Sequence, residues 1–114
     1  MKKNRKSVEI DSDPVIDFVR HCAAGCLNVR RIWVFGSRAR DRAEPQSDYD
    51  FALDWVDADK TPSLSDISWG AFAGTLREKN PSLNQLDLVR LSEASDSLKK
   101  RIQNEGVLIY EKDE

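Results

Sequence analysis

The stretch FGSRARDRAEPQSDYDFALD, Phe35 to Asp54, decides the fold, because a Gly-Ser turn is followed by two aspartates at alternating positions on a predicted strand. Side chains alternate along a strand, so Asp48 and Asp50 fall on one face, roughly 7 Å apart at the backbone, and Tyr49, Phe51 and Leu53 on the other. Two neighbouring carboxylates repel, and a divalent cation between them is the natural compensation. Upstream, Arg30 to Phe35 (RRIWVF) reads as a buried strand that stops at Gly36-Ser37, with Ser37 to Arg42 opening a helix. Glycine lets an anion approach the backbone there, while the Ser37 hydroxyl and the N–H groups that follow can donate to it. The competing reading makes Asp48 and Asp50 solvated turn residues after Pro45-Gln46-Ser47. The strand pattern from Asp48 to Val56 speaks against it.

A third acid stands in similar company. Leu83 to Leu91 (LNQLDLVRL) is strand-like around LDLV, with Leu86 and Leu88 on one face and Asp87 and Val89 on the other. An aspartate in an apolar strand is costly unless it has a partner or a function, and Arg90 is the partner within local reach.

Taken together, these residues resemble the minimal nucleotidyltransferases of the DNA polymerase beta superfamily: Gly-Ser, ten residues (38–47), Asp-x-Asp, and a later Asp on a strand. Gly36, Ser37, Asp48, Asp50 and Asp87 match that pattern in turn. Arg38-Ala39-Arg40 resembles its basic stretch, and Leu98 to Tyr110 resembles its closing helix, glycine and strand. The likeness runs from Asp13 to Glu111, and Asp41 departs from it where many relatives carry glycine. The subgroup most resembled is the MNT antitoxins of HEPN/MNT toxin–antitoxin pairs, which have no appended substrate domain.

The resemblance implies an α/β (α+β) fold of two layers, a mixed sheet with helices packed on it. It implies Asp48, Asp50 and Asp87 as catalytic and metal-holding residues for two Mg²⁺ ions, with Mn²⁺ as a substitute. Gly36, Ser37, Arg38 and Arg40 would bind the nucleotide, ATP being the substrate. The implied partner is a HEPN toxin whose tyrosine hydroxyl receives AMP. Two other functions fit the same residues: an antitoxin that neutralises by binding alone, and the catalytic subunit of a two-chain small-molecule nucleotidyltransferase.

Composition sets outer bounds on these readings. The 114 residues make one domain by size, expected over 11–114 behind a flexible basic tail, 1–10, that carries Lys2, Lys3, Arg5 and Lys6. Hydrophobic residues at 39% and charged residues at 33% describe an ordinary globular chain, and a net charge of −2 gives no general drive toward nucleic acid. No apolar run approaches the ~18 residues of a membrane helix, and MKKNRKSVEI lacks the apolar core of a signal peptide, so a cytoplasmic location is expected. Cys22 and Cys26 share an apolar helix face with Val15, Phe18 and Val19, which makes them core residues; with His21 they fall one ligand short of a structural zinc site.

The remaining elements follow from capping and periodicity. Asp13-Pro14 caps a helix that ends near Gly25 to Asn28, and the second strand gives way to a polar turn over Asp57 to Lys60. Thr61-Pro62 opens a second helix with Leu64, Ile67, Ala71, Phe72 and Leu76 inward, terminated by Lys79, Asn80 and Pro81. Trp69 falls off that stripe, as a surface aromatic or a partner contact. Ser92 caps a third helix carrying Leu91, Ala94, Leu98 and Ile102, with Lys99, Lys100 and Arg101 solvating its C-terminal end. Gly106 closes it, and Val107 to Tyr110 makes a final strand.

Overall fold

A computed structural model describes residues 10–40, 43–57 and 62–113. The expected tail over 1–9, Asp41 and Arg42 in the Gly-Ser segment, most of the turn at 57–60, and Thr61 lie outside them. In chain order the elements are α1 (Pro14–Ala24), β1 (Val29–Phe35), a 3₁₀ turn (Gly36–Ala39), β2 (Tyr49–Trp55), α2 (Pro62–Lys79), β3 (Leu86–Arg90), a second 3₁₀ turn (Leu91–Glu93), α3 (Asp96–Glu105) and β4 (Val107–Glu111). The strands form one mixed sheet in the order β3-β2-β1-β4. β1 is antiparallel to β2 and β4, while β2 and β3 are parallel. A parallel pair needs a crossover, and α2 provides it.

Alternation along the strands sorts the core into two clusters. Ile32 and Val34 of β1, Phe51, Leu53 and Trp55 of β2, Leu86 of β3 and Ile109 of β4 join Val15, Ile16 and Val19 of α1 and Phe72 and Leu76 of α2 in the main core. Ile10, which the sequence reading left in the tail, is buried in that cluster too. Phe35 and Ala52, on the opposite face, pack against Ile102 of α3 with Trp33, Val89 and Leu98 at the edge. The mixed sheet with helices packed on it is the expected fold class, and α3 adds a short cover on the second face. That face also carries Asp50 and Asp87.

Capping places α1 as the sequence indicates. Asp13 accepts hydrogen bonds from the backbone N–H groups of Val15 (2.8 Å) and Ile16 (3.4 Å), with Pro14 at the first helical position. Cys22 and Cys26 are half-buried against the main core, and burial pushes the Cys22 thiol up; His21 is exposed.

Two helices depart from expectation. In α2 the inward residues are Ser65, Trp69, Phe72, Ala73 and Leu76, whereas Leu64, Ile67 and Ala71 face outward, Ile67 at 67% exposure. The helix is apolar on both sides, so periodicity alone could not choose its inner face. What decides it is Trp55, whose indole N–H donates to the fully buried Ser65 hydroxyl at 2.9 Å and whose ring meets Trp69 edge-on at 5.1 Å. Trp69 is therefore a half-buried core-edge residue, with the Arg90 guanidinium over its ring at 5.4 Å.

The cap of α3 is Ser95, which accepts from Leu98 N–H at 3.2 Å, because Ser92 is taken up in the preceding 3₁₀ turn. Lys99, Lys100 and Arg101 consequently sit in the middle of this helix. Gly106 follows it with an ordinary φ of −72°. Its need for glycine is space, since a Cβ would run into the Ile102 carbonyl to which its own N–H donates at 2.7 Å.

Candidate functional site

β1 ends where the site begins. Gly36 adopts φ +75°, a left-handed conformation that only glycine enters freely, and turns the chain into the four-residue 3₁₀ segment Gly36–Ala39. The expected helix from Ser37 is thus a single tight turn among the described residues. At Gly36 the backbone lies directly beside Asp50: a Cβ there would collide with the Asp50 carboxylate. Phe35 pairs with Asp50 across the antiparallel ladder, and Asp50 pairs with Asp87 across the parallel one. The sequence pattern places the Gly-Ser turn and two acids on neighbouring strands, and the sheet register brings them into contact.

Asp50 and Asp87 form the close pair of the site. They are register partners across β2 and β3, and Gln85 donates its amide to Asp87 Oδ1 at 2.8 Å. The Asp50 carboxyl is held above its ordinary range, first by burial, then by the Asp87 charge and hydrogen bond, then by Asp48; the Arg101 cation pulls it back down. Asp48 is exposed, one residue ahead of β2, and its charge reaches the pair from the rim. Arg90 does not neutralise Asp87, being engaged by Asp66 at 2.7 Å and Glu93 at 3.5 Å.

A raised acid has a defined consequence for stability. The folded state holds the Asp50 proton more tightly than the unfolded chain does, so stability is lost as pH rises from the ordinary aspartate range through the raised value. Asp50→Asn removes that loss. In buffer containing a chelator, the variant is expected to melt higher than wild type at pH 7 and to lose its advantage near pH 4. A melting series against pH checks this, and an advantage that did not shrink on acidification would exclude carboxylate repulsion as its source.

The loop that delivers Asp48 is held from two sides. Arg38 donates to the Ser47 carbonyl at 2.9 Å and to that of Pro45 at 3.4 Å, while its guanidinium lies 4.0 Å from the centre of the Tyr49 ring. Asn84, in the loop that leads into β3, donates to the same two carbonyls at 2.9 and 2.7 Å. Tyr49, between the two aspartates in sequence, points to the opposite face and donates its hydroxyl to Asp13 at 2.8 Å; burial and that carboxylate push its pKa up to about 12. The N-cap of α1, the Gly-Ser turn and the β3 loop together fix the position of Asp48. Arg38, expected at the nucleotide, is occupied by this loop.

Asn84→Asp is nearly isosteric but removes both amide donors. Metal affinity measured by calorimetric Mn²⁺ titration should fall about tenfold or more, as for other residues that orient ligands from behind. Affinity equal to wild type would show that the loop needs no such support.

Ser37 is half-buried on the turn, and Arg40 is exposed, with its guanidinium 3.4 Å from Glu105. Arg101 was read from the sequence only as solvating the end of its helix, and Glu105, Asn84 and Gln85 were not singled out. Among the described residues, no three His, Cys, Asp or Glu side chains converge on one ion position. The donors themselves still suit a hard divalent cation: the Asp50–Asp87 pair and the neighbouring Asp48 are all carboxylates, and the repulsion that, after burial, adds to the rise of Asp50 is what an ion would relieve. A depression of about 1090 Å³ on the far flank of α3, lined by Trp33, Asp54, Lys99, Gln103 and Leu108, contains none of these aspartates.

Comparison with solved structures supports the fold. A chain of a toxin–antitoxin structure with AMP-PNP matches at TM-score 0.57 and 22% identity, covering 94% of this chain and 72% of that one. A chain of the tri-AMPylated Shewanella oneidensis HEPN toxin in complex with MNT antitoxin matches at TM-score 0.56 and 19% identity, covering 95% and 74%. A mutant of the toxin–antitoxin pair MntA–HpeT matches at TM-score 0.55 and 18% identity, covering 96% and 75%. No curated protein sequence matches. The family model for Polymerase beta, Nucleotidyltransferase, matches residues 19–114, and the chain belongs to that family.

Proposed function

We propose that this protein is a metal-dependent nucleotidyltransferase that acts as an antitoxin, transferring AMP from ATP to a tyrosine of a partner HEPN toxin. The observation that carries the proposal is the Asp50–Asp87 contact, formed across two parallel strands directly beside the positive-φ Gly36. Half-buried carboxylates side by side are unfavourable for folding alone, and active sites are where such pairs are tolerated. Family membership supports the chemistry. The toxin–antitoxin neighbours, one with AMP-PNP and one with a tri-AMPylated HEPN toxin, support the substrate and partner.

Asp48 and Asp50 would hold one Mg²⁺ on the triphosphate, and Asp87 would complete the site of a second. When bound, such ions neutralise the phosphates and lower the pKa of an attacking hydroxyl. The chain's own residues supply placement. Gly36, lacking a Cβ, leaves room for the Asp50 carboxylate against the turn, and Ser37 would offer its hydroxyl and N–H to a phosphate. Gln85 orients Asp87 toward Asp50, and Arg38 and Asn84 hold the Asp48 loop. The acceptor oxygen forms a bond to the α-phosphorus as the bond to pyrophosphate breaks, and the hydroxyl proton leaves toward Asp87 or solvent. Because the reaction is largely positioning and electrostatics, a domain of this size can support it.

A second reading, neutralisation by binding alone, draws on one observation. Leu64 and Ile67 of α2 stand 47% and 67% exposed, apolar surface that a toxin could cover. The two readings separate in one experiment. The protein is incubated with labelled ATP, Mg²⁺ and the product of the adjacent gene. Label on a tyrosine of that product supports transfer, whereas a stable complex without label supports occlusion.

No helix among the described residues is long and apolar enough to cross a membrane.

A further inference from the structure

Glu105, on the last turn of α3, holds two arginines that arrive from different parts of the chain. Its Oε1 lies 3.4 Å from Arg40, which follows the Gly-Ser turn, and its Oε2 lies 3.6 Å from Arg101, one helical turn earlier in α3. The Arg101 guanidinium stands 5.7 Å from the ring centre of Phe35, the residue that pairs with Asp50 and precedes Gly36. One carboxylate is thus bracketed by two cations at the edge of the acidic pair.

Both pairs are easily exchanged. They are long, and the arginine side chains are 43% and 46% exposed, a setting in which an ion pair contributes little. Neither is needed to seat α3, which Ile102 and Leu98 anchor through the Phe35 and Ala52 cluster. The other arginines described nearby are committed more firmly: Arg38 to the Ser47 carbonyl and the Tyr49 face, Arg90 to Asp66, and Arg31 to Asp54 and Glu111 at 3.1 and 3.0 Å. Among the described residues, an anion arriving at the Gly-Ser turn therefore finds Arg40 and Arg101 as arginines it can recruit. A polyphosphate, more highly charged than one carboxylate and rich in acceptor oxygens, suits two guanidinium forks.

We propose that Arg101 and Arg40 form a two-armed clamp for the phosphates of the nucleotide, and that Glu105 is an internal place-holder which the polyphosphate displaces. This rests on the nucleotidyltransferase reading and adds to it two residues, Arg101 and Glu105, with opposite effects on affinity. Glu105 keeps the arginines extended and near the turn in the free protein, at the cost of competing with the substrate.

The test is calorimetric titration of the full chain with ATP and Mg²⁺, repeated with inorganic tripolyphosphate and Mg²⁺. Glu105→Gln, close in shape and without charge, is expected to bind both ligands several-fold more tightly than wild type. Arg101→Gln is expected to bind both about tenfold or more weakly, the effect of losing a charge-assisted hydrogen bond, with Arg101→Lys in between. Melting curves establish that each variant is folded. Should Arg101→Gln fail to fold, Glu105→Gln still decides the matter, since a structural ion pair predicts no gain in affinity on its removal. Unchanged or weaker binding by Glu105→Gln overturns the place-holder, and wild-type binding by Arg101→Gln overturns the clamp. If wild type itself binds neither ligand, the nucleotidyltransferase reading falls together with the clamp; if wild type binds and the variants match it, the clamp alone falls.

Discussion

Asp87→Asn is expected to lower AMP transfer by several orders of magnitude while leaving the fold intact, the scale that electrostatic and metal-supported stabilisation contributes in phosphoryl transfer. Asparagine is nearly isosteric and can still meet Gln85, which now donates to Asp87 Oδ1 at 2.8 Å. Without the second charge, Asp50 loses the repulsion that follows burial as a cause of its raised pKa, so the variant should be no less stable than wild type. What would be lost, in the proposed reaction, is the carboxylate for a second metal and the attacking hydroxyl. ATP should still bind through Asp48 and Asp50. Two measurements check this: label transfer to the toxin, and protection of cells that express it. In the enzymatic reading the variant does neither, even if the two proteins still associate. Full protection at matched expression, with no modified tyrosine by mass spectrometry, would leave the binding antitoxin in its place.

How far the sequence could be read depended on whether the signal was local. Alternation over β2 put Asp50 on one face and Phe51 and Leu53 on the other, and the Asp13-Pro14 cap placed the start of α1, since both depend on neighbours in the chain. The inner face of α2 depends on Trp55 seeking a partner for its indole N–H, and that partner, Ser65, is polar. Hydrophobic periodicity therefore favoured Leu64 and Ile67 wrongly. Ser92 and Ser95 are equally good caps on paper, and the 3₁₀ turn after β3 settles between them.

The site shows the same division. Gly36, Asp48, Asp50 and Asp87 were legible as residues, but that Asp87 meets Asp50, with Asp48 at the rim, follows from the β2–β3 register. Arg38 and Arg40 looked equivalent beside the Gly-Ser turn. Only the folded loop shows Arg38 spent on the Ser47 and Pro45 carbonyls and Arg40 held loosely by Glu105. Asn84 carried no motif at all, because what it recognises is backbone.

Gly36→Ala is expected to cost both stability and activity, and the way the two are linked tests how the site is built. A side chain at φ +75° costs about 1–2 kcal/mol in backbone strain alone. The new Cβ would also collide with the Asp50 carboxylate, so that side chain must rotate away from the turn and from Asp87. Transfer should fall nearly as far as in Asp50→Ala, although every acid is present. Combining the substitutions separates strain from collision. In an Asp50→Ala background there is no carboxylate to displace, so Gly36→Ala should cost only its backbone part, and the two stability changes should fail to add by roughly 1 kcal/mol, within the range seen for residues in contact. Denaturant unfolding of the four proteins measures that coupling. Strict additivity would mean that the glycine serves the turn alone; a coupling of the expected sign would mean that the missing Cβ at position 36 is what lets Asp50 stand against the chain at the point where a phosphate would pass.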